Sequence, residues 1–179
     1  MAIHELVIGA VVLFTLIAAW TDLRTGHIPN RVVVAFAGVA VVLRLVEAAT
    51  SAAALDALAS MVVGVAVTSL VPLLLFRMGA MGGGDVKLLG ALGLAVGPQV
   101  GLEVELVAFV VASLYACGRL AYEGRLFRLL GNTVALVARP LRSRENRGDV
   151  SPDLMTSLRF APALFTAALV LAYGTWRAS

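Results

Sequence analysis

Long apolar runs, separated by short polar segments, constrain this chain more than any other feature of its sequence. There are six of them, at residues 6–20, 32–49, 58–76, 86–96, 100–120 and 158–176. A helix needs about 20 mostly apolar residues to cross the hydrocarbon core of a bilayer. Charged residues make up only 14% of the chain, against about 25% in soluble domains. The sequence therefore predicts an all-α polytopic membrane protein with about six transmembrane helices, folded as a single domain over residues 1–179.

The fourth run is about half the length of a membrane span, and the dipeptide Gly97-Pro98 follows it. Proline has no backbone N–H and interrupts a helix, and glycine tolerates conformations that other residues avoid. We therefore expect one helix to end here and the next to begin. The helix before the dipeptide is either short and tilted or extended at both ends through polar positions.

The basic residues indicate which segments face the cytoplasm. Segments 21–31, 77–87 and 119–159 hold 12 of the 14 lysines and arginines. Cytoplasmic loops carry an excess of such residues, so these segments are predicted to be cytoplasmic and both termini extracytoplasmic. Within the basic loop, at about residues 121–156, the stretch 122–138 has the spacing of an amphipathic surface helix. Anionic lipid headgroups are its expected partner.

Two acidic residues fall on the opposite side in this topology. Glu103 and Glu105 stand at the start of the fifth apolar run, and we expect both to be solvated.

Two aspartates, Asp22 and Asp85, stand at the ends of apolar runs. In the predicted topology Asp22 ends the first helix and Asp85 begins the fourth, both at the cytoplasmic face. Ionisable residues so close to the hydrocarbon core are costly, and they are functional candidates by default. Two carboxyl groups within hydrogen-bonding distance do not both ionise easily, so one retains its proton. We therefore predict that Asp22 and Asp85 form a catalytic pair.

Such a pair has the chemistry to hydrolyse a peptide bond. The ionised carboxylate takes a proton from a water molecule, which attacks the carbonyl carbon, and the protonated carboxyl polarises that carbonyl. Neither role is assigned to either residue here, because the two groups titrate as a pair. Each aspartate also has a simpler explanation. Asp22 could merely end a helix at the membrane interface, and Asp85 could be an N-cap, which is compatible with catalysis.

Small and polar residues next to the aspartates are predicted to shape the site. Gly82, Gly83 and Gly84 precede Asp85, and their lack of side chains leaves room for an extended substrate backbone. Lys87 either stabilises a developing negative charge or anchors its helix at the lipid headgroups. After Asp22, Pro29 and Asn30 are predicted to form a turn, in which Asn30 caps the second helix.

Other hydrolytic chemistries lack the residues that they need. The sequence offers no Ser–His pair, no HExxH motif and no thiol nucleophile, and its single cysteine, Cys117, lies inside an apolar run. One cysteine excludes a CxxC redox pair and a thiolate zinc site within one chain. We expect neither a cofactor nor a metal, and no nucleic acid partner.

Three motifs resemble those of the type IV prepilin peptidases, which are GxGD aspartyl proteases. The first is Asp22-Leu23-Arg24 followed by Ile28-Pro29-Asn30, and the second is Gly82-Gly83-Gly84-Asp85 continued by Val86-Lys87-Leu88. The third, Arg159-Phe160-Ala161-Pro162-Ala163, is similar to the motif that opens the last helix in this family. The resemblance covers residues 22 to 163, and the order of the motifs agrees with the predicted topology.

The resemblance implies a multi-pass endopeptidase of the bacterial inner membrane. Such an enzyme removes the basic leader from type IV pilin-like precursors at the cytoplasmic face. This chain lacks the larger cytoplasmic insert with paired CxxC motifs that accompanies N-methyltransferase activity in this family. It therefore looks like the short, peptidase-only form that serves Flp, or tight-adherence, pili.

Two other classes of protein remain as alternatives. A small transporter could use the two aspartates to carry protons or cations, although transporter sites tend to lie near the bilayer midplane. A non-catalytic assembly protein of a pilus or secretion system could keep the same fold. Such a protein would have no need to keep both Asp22 and Asp85.

Overall fold

The computed structural model describes residues 2–50, 54–122, 124 and 159–178. Within these ranges the chain is helical and contains no strand, which confirms the all-α prediction. The helices, in chain order, are α1 (Ala2–Thr25), α2 (Asn30–Thr50), α3 (Ala54–Arg77), α4 (Gly83–Tyr122) and α5 (Ala161–Ala178). Nearly all of the predicted basic loop at 121–156, with its surface helix, lies outside the described residues.

Among the described helices, α1 to α4 are long and apolar enough to cross a membrane. Large apolar side chains on their surfaces are exposed, as expected for helices that contact lipid. Examples are Leu13, Val34, Val62, Leu74 and Leu106. The helices therefore fit a multi-pass membrane protein. The number of six spans, and the sides on which the termini lie, stay predictions.

Helix α4 contains a sharp reversal at Gly97. This residue has φ 80° and ψ 179°, a backbone conformation that is essentially restricted to glycine, and Pro98 follows it. A Cβ atom built on Gly101 would lie 3.3 Å from the Cα of Gly93. In a straight helix, residues eight positions apart are separated by about 12 Å. The parts 83–96 and 98–122 therefore fold back on each other, which confirms the predicted break at Gly97-Pro98.

Small residues let α3 pack closely against both parts of α4. The backbones of Gly64 and Gly93 touch, and a Cβ atom on Gly101 would lie 2.7 Å from Cγ2 of Thr68. The buried Thr68 hydroxyl lies 2.9 Å from the carbonyl oxygens of Gly64 and Leu89, and it can donate to either. Close backbone approach and hydroxyl hydrogen bonds of this kind are common between membrane helices. They fix the position of the part of α4 that begins beside Asp85.

A polar cluster lies against the Gly97 reversal. The Arg44 guanidinium forms an ion pair with Glu47 at 2.6 Å and donates to the Ser60 hydroxyl at 3.2 Å. A Cβ atom on Gly97 would come within 2.6 Å of that same hydroxyl oxygen. The cluster therefore joins α2 and α3 to the turn in α4.

The buried core is formed mainly by α1, α2, α4 and α5. Fully buried side chains at its centre include Val11, Phe36, Leu88, Leu92 and Leu164. The rings of Phe14 and Phe36 stack with centroids 5.2 Å apart, which joins α1 to α2.

Glu105 departs from the prediction that it is solvated. Its side chain is only 3% exposed, and its Oε2 atom has no hydrogen-bond partner among the described residues. It shares the buried face of its helix with Gly101, Val104 and Ala108. The fold-back at Gly97 turns this face toward the interior, so the prediction is wrong for Glu105. Glu103, on the other side of the helix, is exposed as expected.

Candidate active site

Asp22 lies in the last turn of α1. Gly26 ends this helix with φ 66°, and its N–H donates to the backbone carbonyl of Asp22 at 2.8 Å. A left-handed glycine just beyond a helix is a common way to end it. The Asp22 residue is only 7% exposed, although it stands at a helix end. Its carboxyl group is therefore held inside the protein and not in the surrounding solvent.

Asp85 lies in the first turn of α4, as the third residue of the helix. The N–H of Gly82, just before the helix, donates to the Asp85 carboxylate. This is one half of a capping box, in which the third residue of a helix satisfies the N–H of the capping position. Asp85 is therefore not the N-cap residue that the simpler explanation proposed, because Gly82 holds that position, although its carboxylate does cap the start of the helix.

The structure places Asp22 and Asp85 close enough for the negative charge of one carboxyl group to act on the other. The two residues meet because α1 ends where α4 begins.

The segment around Arg159 surrounds the Asp22 carboxyl. The backbone N–H of Ala161, at the start of α5, donates to it, and the charges of Arg159 and His27 act on it. Its other oxygen, Oδ2, is buried and has no hydrogen-bond partner among the described residues. A buried carboxylate oxygen costs free energy when it accepts no hydrogen bond. Asp22 Oδ2 can therefore accept one from a water molecule or a substrate.

Arg159 also fastens α5 to α1. Its Nη1 atom donates to the backbone carbonyl of Leu23 at 2.6 Å. The next residue, Phe160, is 5% exposed, and its ring packs on Phe109 of α4 with centroids 5.1 Å apart. The start of α5 is thereby joined to the end of α1 and to the second part of α4. The sequence signal for this role was the Arg159-Phe160-Ala161 motif, whose contact with Asp22 could not be foreseen.

The three glycines before Asp85 have different surroundings. A Cβ atom on Gly82 would lie 3.1 Å from Asp85 Oδ2, and one on Gly83 would lie 3.2 Å from the ring of Phe76. On Gly84 it would lie 3.1 Å from Cβ of the buried Ile28. Space at Gly84 is therefore needed for the loop before α2, within the protein itself. Room for a substrate backbone stays a prediction for this segment.

Two other residues predicted to shape the site contact each other. Lys87 Nζ donates to Asn30 Oδ1 at 3.0 Å, which connects the first turns of α4 and α2. Pro29 precedes Asn30, and its carbonyl accepts the N–H of Val32 at 3.0 Å, which begins α2. Lys87 is therefore engaged at the edge of the site, in a hydrogen bond that holds Asp85's helix next to the loop from Asp22.

Aromatic and basic side chains stand at opposite ends of the helices. Trp20, half-exposed near Asp22, carries the Arg24 guanidinium 4.2 Å from its ring centroid. At the other end, Arg177 lies 5.6 Å from the ring of Tyr173. Tryptophan, tyrosine and arginine are typical of the water interfaces of membrane proteins. Their positions suggest that the aspartate pair lies near one membrane surface.

No cluster of three or more His, Cys, Asp or Glu side chains suited to a metal ion occurs in the described part of the chain. The site is built from carboxyl groups, backbone N–H groups and one guanidinium.

The model of the type IV leader peptidase family matches residues 9–117 of the chain. This range is more than half of the sequence and contains both aspartates and the glycine segment. The chain belongs to the type IV leader peptidase family, which confirms the resemblance drawn from the motifs. No curated protein and no solved structure matches it. Membership of this family implies a protease, and the four apolar helices indicate that it is a multi-pass membrane protein.

Proposed function

We propose that this protein is an aspartic endopeptidase that removes leader peptides from type IV prepilin-like precursors at the cytoplasmic face of the bacterial inner membrane. One observation carries the proposal: the carboxyl groups of Asp22 and Asp85 come from distant parts of the chain and lie close enough for the charge of one to act on the other. Both also lie within the residues matched by the leader peptidase family.

In the proposed reaction the pair begins with one carboxylate and one carboxylic acid. The carboxylate takes a proton from water, the water oxygen bonds to the peptide carbonyl carbon, and the carboxylic acid gives its proton to the carbonyl oxygen. The resulting gem-diol collapses when the first aspartate protonates the amide nitrogen and the C–N bond breaks. A hydroxyl proton of the gem-diol returns to the second aspartate. Both carboxyl groups are then restored, and one water has been consumed.

The surroundings of Asp22 suit this role. Its Oδ2 atom is buried and has no hydrogen-bond partner among the described residues, so a water molecule or substrate could take that position. The pair stands near Trp20 and Arg24, at one end of the apolar helices. A peptide bond just outside the membrane, next to a membrane-bound segment, could reach it without crossing the hydrocarbon core.

The composition favours the short form of the enzyme and hence an Flp-type substrate. The chain has one cysteine, so it cannot carry the paired CxxC motifs of the longer family members. We propose that its substrates are precursors of Flp, or tight-adherence, pili.

The test is leader cleavage of a co-expressed Flp-type prepilin, followed by gel shift and by mass determination of the new N-terminus. Wild type is compared with Asp22→Asn and Asp85→Asn at equal membrane levels. Asp56→Asn is the matched control, because Asp56 is an exposed acidic residue in the first turn of α3. We expect cleavage by wild type and the control, and none by the other two variants.

The alternatives predict other outcomes. Cleavage that persists in either dyad variant would rule out the two-aspartate mechanism. If wild type does not cleave any prepilin, the assembly-protein alternative takes precedence. Proton-coupled uptake into vesicles that depends on both aspartates would instead favour a transporter.

A further inference from the structure

We infer that the aspartate pair is asymmetric: Asp22 is the ionised base, Asp85 carries the proton, and Arg159 is the positioning residue that sets this order. The inference rests on the proposed function for its catalytic meaning. Its structural part, the order in which the two carboxyl groups ionise, can be tested without catalysis.

Burial opposes ionisation of Asp22, but three neighbouring groups favour a negative charge on it. Arg159 contributes a full positive charge, His27 acts in the same direction, and the N–H of Ala161 hydrogen-bonds the carboxylate. That N–H belongs to the first turn of α5, and a helix N-terminus carries about half a positive charge. The C-terminal end of α1, to which Asp22 belongs, opposes this with about half a negative charge. The two helix ends roughly cancel, so the charge of Arg159 is the main contribution that offsets the cost of burying the Asp22 carboxylate.

The surroundings of Asp85 are less favourable to a negative charge. Burial opposes ionisation of Asp85 as well, and the negative charge of Asp22 adds to this effect. The N-terminus of α4 and the N–H of Gly82 stabilise its carboxylate, but no positive side chain acts on it as Arg159 acts on Asp22 among the described residues. A neighbouring carboxylate disfavours a second ionisation. Lys87, two residues further on, donates to Asn30. With Asp22 ionised, the shared proton therefore resides on Asp85.

Arg159 acts through its position and not by touching the reacting atoms. Its hydrogen bond to the Leu23 carbonyl, at 2.6 Å, fixes it one residue beyond Asp22 along α1. The buried Phe160 ring on Phe109 keeps the next residue in place, so that the N–H of Ala161 meets the Asp22 carboxylate. The same contacts hold the start of α5 and the guanidinium charge in register with Asp22.

In the reaction this order gives each aspartate one role. Asp22 takes the proton of the attacking water and later gives it to the amide nitrogen as the C–N bond breaks. Asp85 gives its proton to the carbonyl oxygen and takes one back from the gem-diol. The proton count is the same as for the unassigned pair.

The test measures when each carboxyl group ionises, from the infrared absorption of the protonated carboxyl in purified protein titrated with pH. The Asp22 signal is the difference between the infrared spectra of the Asp85→Asn variant and of the double variant that lacks both aspartates. The Asp85 signal is the difference between the spectra of the Asp22→Asn variant and of the same double variant. We expect Asp22 to ionise at the lower pH. Arg159→Gln in the Asp85→Asn background should move the Asp22 midpoint up by about 1 pH unit.

Two further variants separate charge from structure. Arg159→Lys keeps the charge and should keep most of the difference between the two carboxyl groups, whereas Arg177→Gln, at the far end of α5, should leave it unchanged. Equal midpoints, the reverse order, or an Asp22 midpoint unaffected by Arg159→Gln in a protein with wild-type thermal stability would overturn the inference.

Prepilin cleavage provides the catalytic part of the test. In the otherwise wild-type enzyme, Arg159→Gln is expected to lower kcat and move the acidic limb of the pH–rate profile upward, with Arg159→Lys restoring the limb. Infrared midpoints in the expected order without prepilin cleavage would contradict the proposed function and leave the asymmetry standing. Prepilin cleavage by a protein with reversed midpoints would support the proposed function and overturn the asymmetry.

Discussion

The reversal in α4 predicts that Gly97→Ala destabilises the fold by an amount that can be divided between two causes. Gly97 has φ 80° and ψ 179°, where a residue with a Cβ atom is strained by about 1–3 kcal/mol. The new Cβ atom would also lie 2.6 Å from the Ser60 hydroxyl oxygen. Moving that hydroxyl breaks its 3.2 Å hydrogen bond from Arg44, at a cost of about 1 kcal/mol. We therefore expect a loss of about 2–4 kcal/mol in the free energy of unfolding.

The assay is reversible unfolding of the purified protein in mixed micelles with increasing SDS, followed by loss of helical circular dichroism. Ser60→Ala with Gly97→Ala removes the steric conflict and keeps the backbone strain. Relative to the Ser60→Ala protein, the double variant should therefore lose only about 1–3 kcal/mol in the free energy of unfolding. Gly118→Ala is the matched control, because no described atom lies within 4 Å of a Cβ atom there. Alanine in that helical position should stabilise the protein by up to about 1 kcal/mol.

A Gly97→Ala protein as stable as wild type would refute the reasoning, because the chain would then have no need of a positive φ at this position. Equal losses from Gly97→Ala in the presence and absence of the Ser60 hydroxyl would remove only the steric part of the explanation.

Three further predictions concern the edges of the site and the buried carboxyl. Lys87 and Asn30 share a 3.0 Å hydrogen bond, so Lys87→Met and Asn30→Ala should each lower the free energy of unfolding by about 0.5–1 kcal/mol. A double-mutant cycle that gives zero coupling energy between the two residues would contradict this prediction. Gly84→Ala crowds the loop before α2 and should lower stability by about 1–3 kcal/mol and also lower prepilin cleavage. Gly38→Ala, with open space around its Cβ position inside α2, should leave cleavage unchanged by gel shift and should not lower the stability measured by thermal unfolding. Glu105 Oε2 is buried without a hydrogen-bond partner among the described residues, so Glu105→Gln should raise the melting temperature. Prepilin cleavage should be unchanged. Loss of cleavage would show that Glu105 takes part in the reaction.

The sequence made the two aspartates visible because a carboxyl group is conspicuous beside an apolar run. The break at Gly97-Pro98 was predictable for the same kind of reason, since that dipeptide is incompatible with a continuous helix. Both features depend on local chemistry, which a sequence carries directly. The direction in which the chain leaves Gly97 is a different matter. It depends on φ at a single residue and on the contact between Gly93 and Gly101, neither of which local composition determines.

The error at Glu105 has its physical origin in this fold-back. Glu105 was predicted to be solvated from its distance along the chain to the end of an apolar run. The reversal turns its helix face toward the interior, where it is 3% exposed. The approach of Ile28 to Gly84 was also not foreseen, because it comes from a different part of the chain, whereas the predicted role of Gly84 beside a substrate stays a prediction. Contacts between distant residues decide both cases.

The position of the site at three helix ends explains why its motifs stand at the boundaries of apolar runs. Asp22 lies where α1 ends, Asp85 where α4 begins and Ala161 where α5 begins. Backbone N–H groups at the starts of α4 and α5 are free of helical partners, and here they meet carboxylates. A pair of acids placed in the middle of these helices would find no such donors in the hydrocarbon core. The helix ends therefore supply polar surroundings for the two carboxyl groups, and in our proposal Arg159 supplies the charge that makes the two groups unequal.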